Sequence, residues 1–205
     1  MTHVNVYAGS SLDRMANLRA DEVWLAARRD DPETRYVALW RGLCLVEGDA
    51  APRPALLPAG AIGDAIPAGA PVVLLGLEDE AARFAVDLSG HADDPGAGLL
   101  AGHGAFRDLR DVGRLMSGPD AALLAHARGV MNWHRRHRFC GVCGAATELR
   151  EAGYLRVCTD AACAAQHFPR TDPAIIVLVS DGERCLLGRG ADWPEGLYST
   201  LAGFV

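Results

Sequence analysis

At 205 residues, half of them hydrophobic, the chain is long enough for one large domain or for two to three small ones with buried cores. Its net charge of −6 gives no general attraction to nucleic acid or to an anionic membrane. No apolar run approaches the roughly 20 residues that span a bilayer. The opening "MTHVNVYAGSSLDRM" has no basic stretch followed by an apolar block, so a secretory signal is not expected. The reading is a cytoplasmic protein without membrane association, its six cysteines held as reduced thiols or metal ligands. All 20 basic residues are arginine.

In chain order, residues 1–116 read as a β-rich N-terminal domain. "LRADEVWLAARRDD" (18–31) is a short helix, and "TRYVALWRGLCLV" (34–46) holds two strands around Arg41-Gly42. "PVVLLGL" (71–77) and "RFAVDLS" (83–89) form a second pair joined by "EDEAA". "GHADDPGAGLLAGHGAF" (90–106) reads as a Gly-rich surface connection; it lacks the ending of a phosphate-binding P-loop. "SGPDAALLAHARGVMNWHRRHRF" (117–139) predicts a linking helix, 117–138, capped by Ser117, with Pro119 in its first turn. Leu123, Leu124, Ala127, Val130 and Met131 follow helical spacing, and Arg135, Arg136 and Arg138 fall where cations suit the helix dipole. In the last part, "AIIVLVS" (174–180) and "RCLLGRG" (184–190) read as a hairpin around "DGE", and "GLYSTLAGF" (196–204) as a third strand.

Between helix and hairpin, in the segment 139–170, lie Cys140 and Cys143, two residues apart, then Cys158 and Cys163, four apart, with 14 residues between the pairs. Two close pairs, each on a tight turn, bring four thiolates to the corners of a tetrahedron around Zn²⁺. Gly141 and Gly144 supply backbone freedom, and "ATELREAG" and "YLRVC" form the hairpin between the turns. Four sulfur ligands close the shell, so the zinc is expected to be structural. Cys44 and Cys185, alone in apolar strands, read as core residues, and His134 and His137 as surface or packing residues.

The run from "NWHRRHRFCGVCG" through the four-Cys ribbon to "HFPRTDPAIIVLV" and "LAGFV" resembles the NADH pyrophosphatase (NAD-capped RNA decapping) family of Nudix hydrolases, most closely over 133–205. The resemblance implies an α+β protein: a β-rich N-terminal domain, a four-Cys zinc ribbon, and, over 171–205, the first strands of an incomplete Nudix α/β/α sandwich. Gly203 matches the first glycine of the Nudix box. On this reading the chain is cut just where the box begins, and the Arg and Glu residues of the catalytic helix lie beyond Val205. It implies no catalytic residue within the chain and an inactive fragment. For the complete protein it implies hydrolysis of NAD(H) to nicotinamide mononucleotide and AMP, removal of NAD caps from RNA, Mg²⁺ or Mn²⁺ at the missing carboxylates, and a homodimer. The nicotinamide ring would stack between Phe204 and the partner subunit's Phe168, with Ile176 and Ala202 lining the same pocket. On the residues alone, Phe168 reads equally well as packing at the foot of the ribbon, and Phe204, Ile176 and Ala202 as strand core. Gly153 stands where some members carry an acidic residue, and Glu151, two residues away, is open as its substitute. The alternatives are a zinc-ribbon module binding RNA through Arg128, Arg135, Arg136 and Arg138, or a pseudoenzyme.

Overall fold

The structure, a computed structural model, describes residues 5–205; the first four residues of the expected N-terminal domain lie outside the described residues. The chain divides into two compact units, Met1–Pro169 and Arg170–Val205.

In the first unit, helix α1 (Glu22–Asp30) starts where the Asp21 carboxylate accepts from the Trp24 amide at 2.9 Å. Strands β1 (Arg35–Trp40) and β2 (Leu43–Glu47) follow as an antiparallel pair around Arg41-Gly42, both with positive φ. Short strands β3 (Arg53–Pro54) and β4 (Leu56–Leu57) and a single helical turn α2 (Ala59–Ile62) come next. Strands β5 (Val72–Glu78) and β6 (Ala81–Asp87) turn on Asp79-Glu80. The sheet runs β3-β2-β1-β6-β5, with β4 on β1 and β7 (Ala105–Arg107) on β2. Its centre is the parallel pair β1–β6, which joins residues about 48 apart, Arg35 to Arg83 through Leu39 to Asp87.

Both faces of this sheet are buried. From β1, Tyr36 and Ala38 enter a core with Leu25 of α1, Leu74, Phe84 and Leu100. The alternate residues Val37 and Leu39 enter a second core on the other face, with Cys44, Val73 and Leu75. That second core is closed by helix α4 (Gly118–Arg136), which follows the one-turn helix α3 (Leu109–Val112). Ser117 caps α4, its Oγ accepting from the Asp120 amide at 3.2 Å and donating to the Asp120 carboxylate at 2.8 Å. The helix buries Leu124, Ala127, Val130 and Met131, so the segment expected as a link is a layer of the first unit.

The Gly-rich stretch 90–106 is more than a surface connection. Leu100 is fully buried and Ala105–Arg107 pairs with β2. The expectation failed because the burial comes from one leucine and from pairing with a strand some 60 residues earlier, neither of which leaves a local periodicity.

The zinc-ribbon segment forms a three-stranded sheet, β10-β9-β8, from β8 (Thr147–Arg150), β9 (Leu155–Cys158) and β10 (Gln166–His167). The turn between β8 and β9 holds Glu151, Ala152 and Gly153, all with positive φ. Ala152 is buried in the first core, and Gly153 lies against Val73 of β5.

In the second unit β11 (Ala174–Val177) pairs antiparallel with β14 (Leu201–Phe204), and β12 (Val179–Ser180) with β13 (Cys185–Leu186). The expected hairpin is therefore confined to 179–186, and the larger part of "AIIVLVS" pairs with the chain's last strand instead. Asp181 fixes the hairpin turn by accepting from the amides of Glu183 and Arg184 at 3.1 and 2.8 Å. Cys44 is a core residue, but Cys185 is exposed: among its described residues the second unit contains strands and turns only, and nothing within it covers β13.

Candidate functional site

Two similar turns present the four cysteines. In the first, the Cys140 amide donates to the Ala145 carbonyl at 2.7 Å, and the Gly144 amide returns to the Cys140 carbonyl at 2.9 Å. Gly144 sits at φ 81, a value open to glycine, whereas Gly141 does not take a positive φ and its freedom is unused. In the second, the Cys158 amide donates to the Ala165 carbonyl at 2.9 Å, and Ala164 takes the left-handed position at φ 44 without a glycine.

The turns bring the Sγ atoms of Cys140, Cys143, Cys158 and Cys163 within 4.8 Å of one another. Cys140 and Cys163 are 3.8 Å apart, and Cys143 and Cys158 3.4 Å. A tetrahedron of Zn–S bonds near 2.3 Å has edges of about 3.8 Å, so the donor set and its spacing fit zinc. The Val142 amide donates to the Cys140 sulfur at 3.4 Å, a contact that favours the thiolate a metal needs. His167 adds a contact that the sequence did not single out, its Nε2 lying 3.3 Å from the Cys140 sulfur. A ring N–H there orients that sulfur from outside the set of four. The only signal was its place in "HFPR".

His134 and His137 stand outside the cluster. His134 is buried; its Nε2–H donates to the Gly153 carbonyl at 2.9 Å, and its Nδ1 accepts from Arg156 at 3.0 Å. Burial, followed by the Arg156 charge, holds it at about 4, so the ring is neutral near pH 7. His137 donates from Nδ1 to the Trp133 carbonyl at 2.9 Å. Arg156 also bonds Thr147 through Oγ1 at 2.7 Å and through the carbonyl at 2.8 Å. The ribbon is thus tied to α4 by a connected polar group. A second tie lies at Tyr154, whose hydroxyl is 2.8 Å from His126 Nε2, while Arg14 donates to His126 Nδ1 and Arg19 lies over the Tyr154 ring.

The other predicted site residues fall in two places. Phe168 follows β10 in the first unit and is 58% exposed. Ile176, Ala202 and Phe204 lie in the second unit. Ile176 is directly opposite Ala202 in the β11–β14 register, and Phe204 is two residues on, so all three share one face of the pair. Ile176 is 76% and Phe204 84% exposed; neither is a core residue of its unit. The turn 151–153 points Glu151 along a positive-φ backbone into solvent. Among the described residues the four cysteines are the only group of three or more His, Cys, Asp or Glu side chains close enough to share an ion. Of the other acidic residues, Glu78 at the end of β5 pairs with Arg83 at 3.0 Å, and Asp94 caps a short turn at the Gly96 amide.

The architecture defines the class: a sheet covered on both faces, closed by a helix that runs directly into a four-Cys ribbon. Residues 33–133 match the NADH pyrophosphatase-like rudimentary NUDIX domain, and residues 135–168 the NADH pyrophosphatase zinc ribbon domain. The chain belongs to the NADH pyrophosphatase family of Nudix hydrolases. It is 43% identical over 94 residues to the NAD-capped RNA hydrolase NUDT12 of Macaca fascicularis, covering 42% of this chain and 20% of the relative. It is 39% identical over 140 residues to the mitochondrial NAD(P)H pyrophosphatase NUDT13 of Mus musculus (64% and 39%). To the NAD-capped RNA hydrolase NudC of Mycobacterium tuberculosis it is 44% identical over 99 residues (48% and 31%). The matched region spans less than two fifths of each of these relatives. No helix among the described residues is long and apolar enough to cross a membrane.

Proposed function

We propose that these residues belong to an enzyme that hydrolyses the pyrophosphate bond of NAD(H) to nicotinamide mononucleotide and AMP, and that removes NAD caps from RNA by breaking the same bond. The observation that carries this reading is the adjacency of a rudimentary NUDIX domain and a four-Cys zinc ribbon in one chain. Cys140, Cys143, Cys158 and Cys163 would hold a structural Zn²⁺, whose closed shell leaves no position for substrate. The exposed face of Ile176, Ala202 and Phe204 suits a flat nicotinamide ring, which dispersion and offset stacking hold without hydrogen bonds. Phe168 of the partner subunit would complete the stack in a homodimer.

A divalent cation, Mg²⁺ or Mn²⁺, would supply neutralisation of phosphoryl charge when bound, and such hard ions need grouped carboxylates. Among the described residues no three carboxylates lie close enough to share an ion, which supports the further proposal that the 205 residues do not turn over substrate by themselves. Four cysteines grouped for a metal and two more without a disulfide suit a reducing compartment such as the cytoplasm. The test is product analysis of NADH turnover by the active enzyme. Reduced nicotinamide mononucleotide and AMP in equal amounts are expected; free dihydronicotinamide with ADP-ribose would place the cleavage at another bond and refute the reading.

A further inference from the structure

The solvent side of α4 faces a cleft of about 520 Å³. Five arginines line it: Arg128, Arg135 and Arg136 from the helix, Arg110 from α3, and Arg41 from the β1–β2 turn. Asp87 is the one carboxylate in the lining, and Asp108 pairs with Arg128 at 3.1 Å from outside it. Five guanidinium groups against two carboxylates leave a local charge of +3 in a chain whose net charge is −6. Composition alone, read over the whole chain, hides this reversal.

Three of the five are held in place. Arg41 donates to the Ala92 carbonyl at 2.7 Å and lies over the Trp40 ring, Arg128 is fixed by Asp108, and Arg135 donates to Asn132 at 2.8 Å. Arg110 and Arg136 have no side-chain hydrogen bond or ion pair among the described residues, so their donors are free. On α4 the small residues Ala125 and Gly129 lie on the arginine stripe, at i, i+3, i+4 spacing, and keep the floor open: a side chain at Gly129 would meet nothing within 4 Å of its Cβ.

We propose that this cleft binds consecutive phosphate groups of a polyanion. Guanidinium forks match phosphate oxygens in pairs, and several converging forks favour a ligand carrying more than one phosphate. The lining contains no aromatic side chain on which a base could stack, so the recognition is of phosphates and independent of base sequence. The phosphates come either from the backbone of single-stranded RNA or from a free polyphosphate. The cleft lies within the first unit and does not depend on the hydrolase reading; its test reads binding only, so either can fail without the other.

The experiment measures binding of a labelled single-stranded RNA, and separately of inorganic tripolyphosphate, to the 205-residue chain over a range of salt. Two variants are compared: Gly129→Glu, which puts a carboxylate into open space on a helix, and Arg110→Ala with Arg136→Ala, which removes two groups without structural partners. Thermal melts and zinc content check that both fold. RNA affinity is expected to fall at least tenfold in each variant, and the slope of log affinity against log salt to flatten by about 1.4 in the double variant, roughly 0.7 per lost single-strand phosphate contact. Binding of tripolyphosphate alone, lost in both variants, supports the site and assigns it a small polyphosphate. Absence of binding by either ligand, or binding that folded variants retain, overturns the proposal.

Discussion

Gly153 shows how one residue joins the ribbon to the rest of the first unit. It sits at φ +100, and an added Cβ would come within 2.5 Å of a Val73 methyl in the sheet core. Gly153→Ala therefore adds backbone strain and overpacking together, and should cost roughly 2–4 kcal/mol in denaturant unfolding of the first unit; a loss under 0.5 kcal/mol would show that the turn is free to move off the sheet. His126 makes a pH-dependent contribution. Burial, then the charges of Arg14 and Arg19, pushes its pKa down to about 4. The unfolded ring, near 6.5, takes up a proton first, so stability is full above about pH 6.5 and falls as pH drops toward 4. His126→Gln should flatten that part of the stability–pH curve relative to the parent chain; an unchanged slope would mean the ring is not neutral and enclosed. Neither residue could be assigned such a role from the sequence. The partners that set these roles, Val73 and Arg14, are remote in the chain.

At the scale of elements, legibility followed locality. The pairs β1–β2 and β5–β6 and helix α4 were readable because alternation, tight turns and an N-cap are written within a few residues. Ser117→Ala should cost about 1 kcal/mol, read as a lower melting temperature, since it strips an amide partner from the helix that closes the second core. The parallel β1–β6 pairing, the use of β7 and the β11–β14 pairing were not readable, since each joins segments far apart whose apolar patterns fit several partners. The four-Cys ribbon was the most legible element: its spacing alone picks out the four cysteines whose sulfurs the fold brings together. What spacing could not show is that the ribbon turn enters the first core at Ala152. Cys158→Ser should therefore abolish stoichiometric zinc and also lower the melting temperature of the sheet domain. Full zinc content in this variant would mean that the four sulfurs are not the ligand set.

For the whole molecule, the sequence carried the family and the ribbon but not the arginine cleft, which forms only when Arg41 and Arg110 are folded beside α4. The three residues on the β11–β14 face, Ile176, Ala202 and Phe204, were readable as a group only through the resemblance, since their exposure in the second unit is a property of the fold. The central proposal is that these residues provide the scaffold, zinc ribbon and nicotinamide face of an NAD(H) pyrophosphatase but not the grouped carboxylates that its divalent cation needs. The measurement that tests it most directly compares release of reduced nicotinamide mononucleotide from NADH, with Mg²⁺ or Mn²⁺, by the 205-residue chain and by a longer protein in which a carboxylate-bearing Nudix segment is joined after it. The account predicts turnover by the longer protein and none by the shorter. Metal-dependent turnover by the 205-residue chain, or none by the longer protein with its zinc in place, would contradict it.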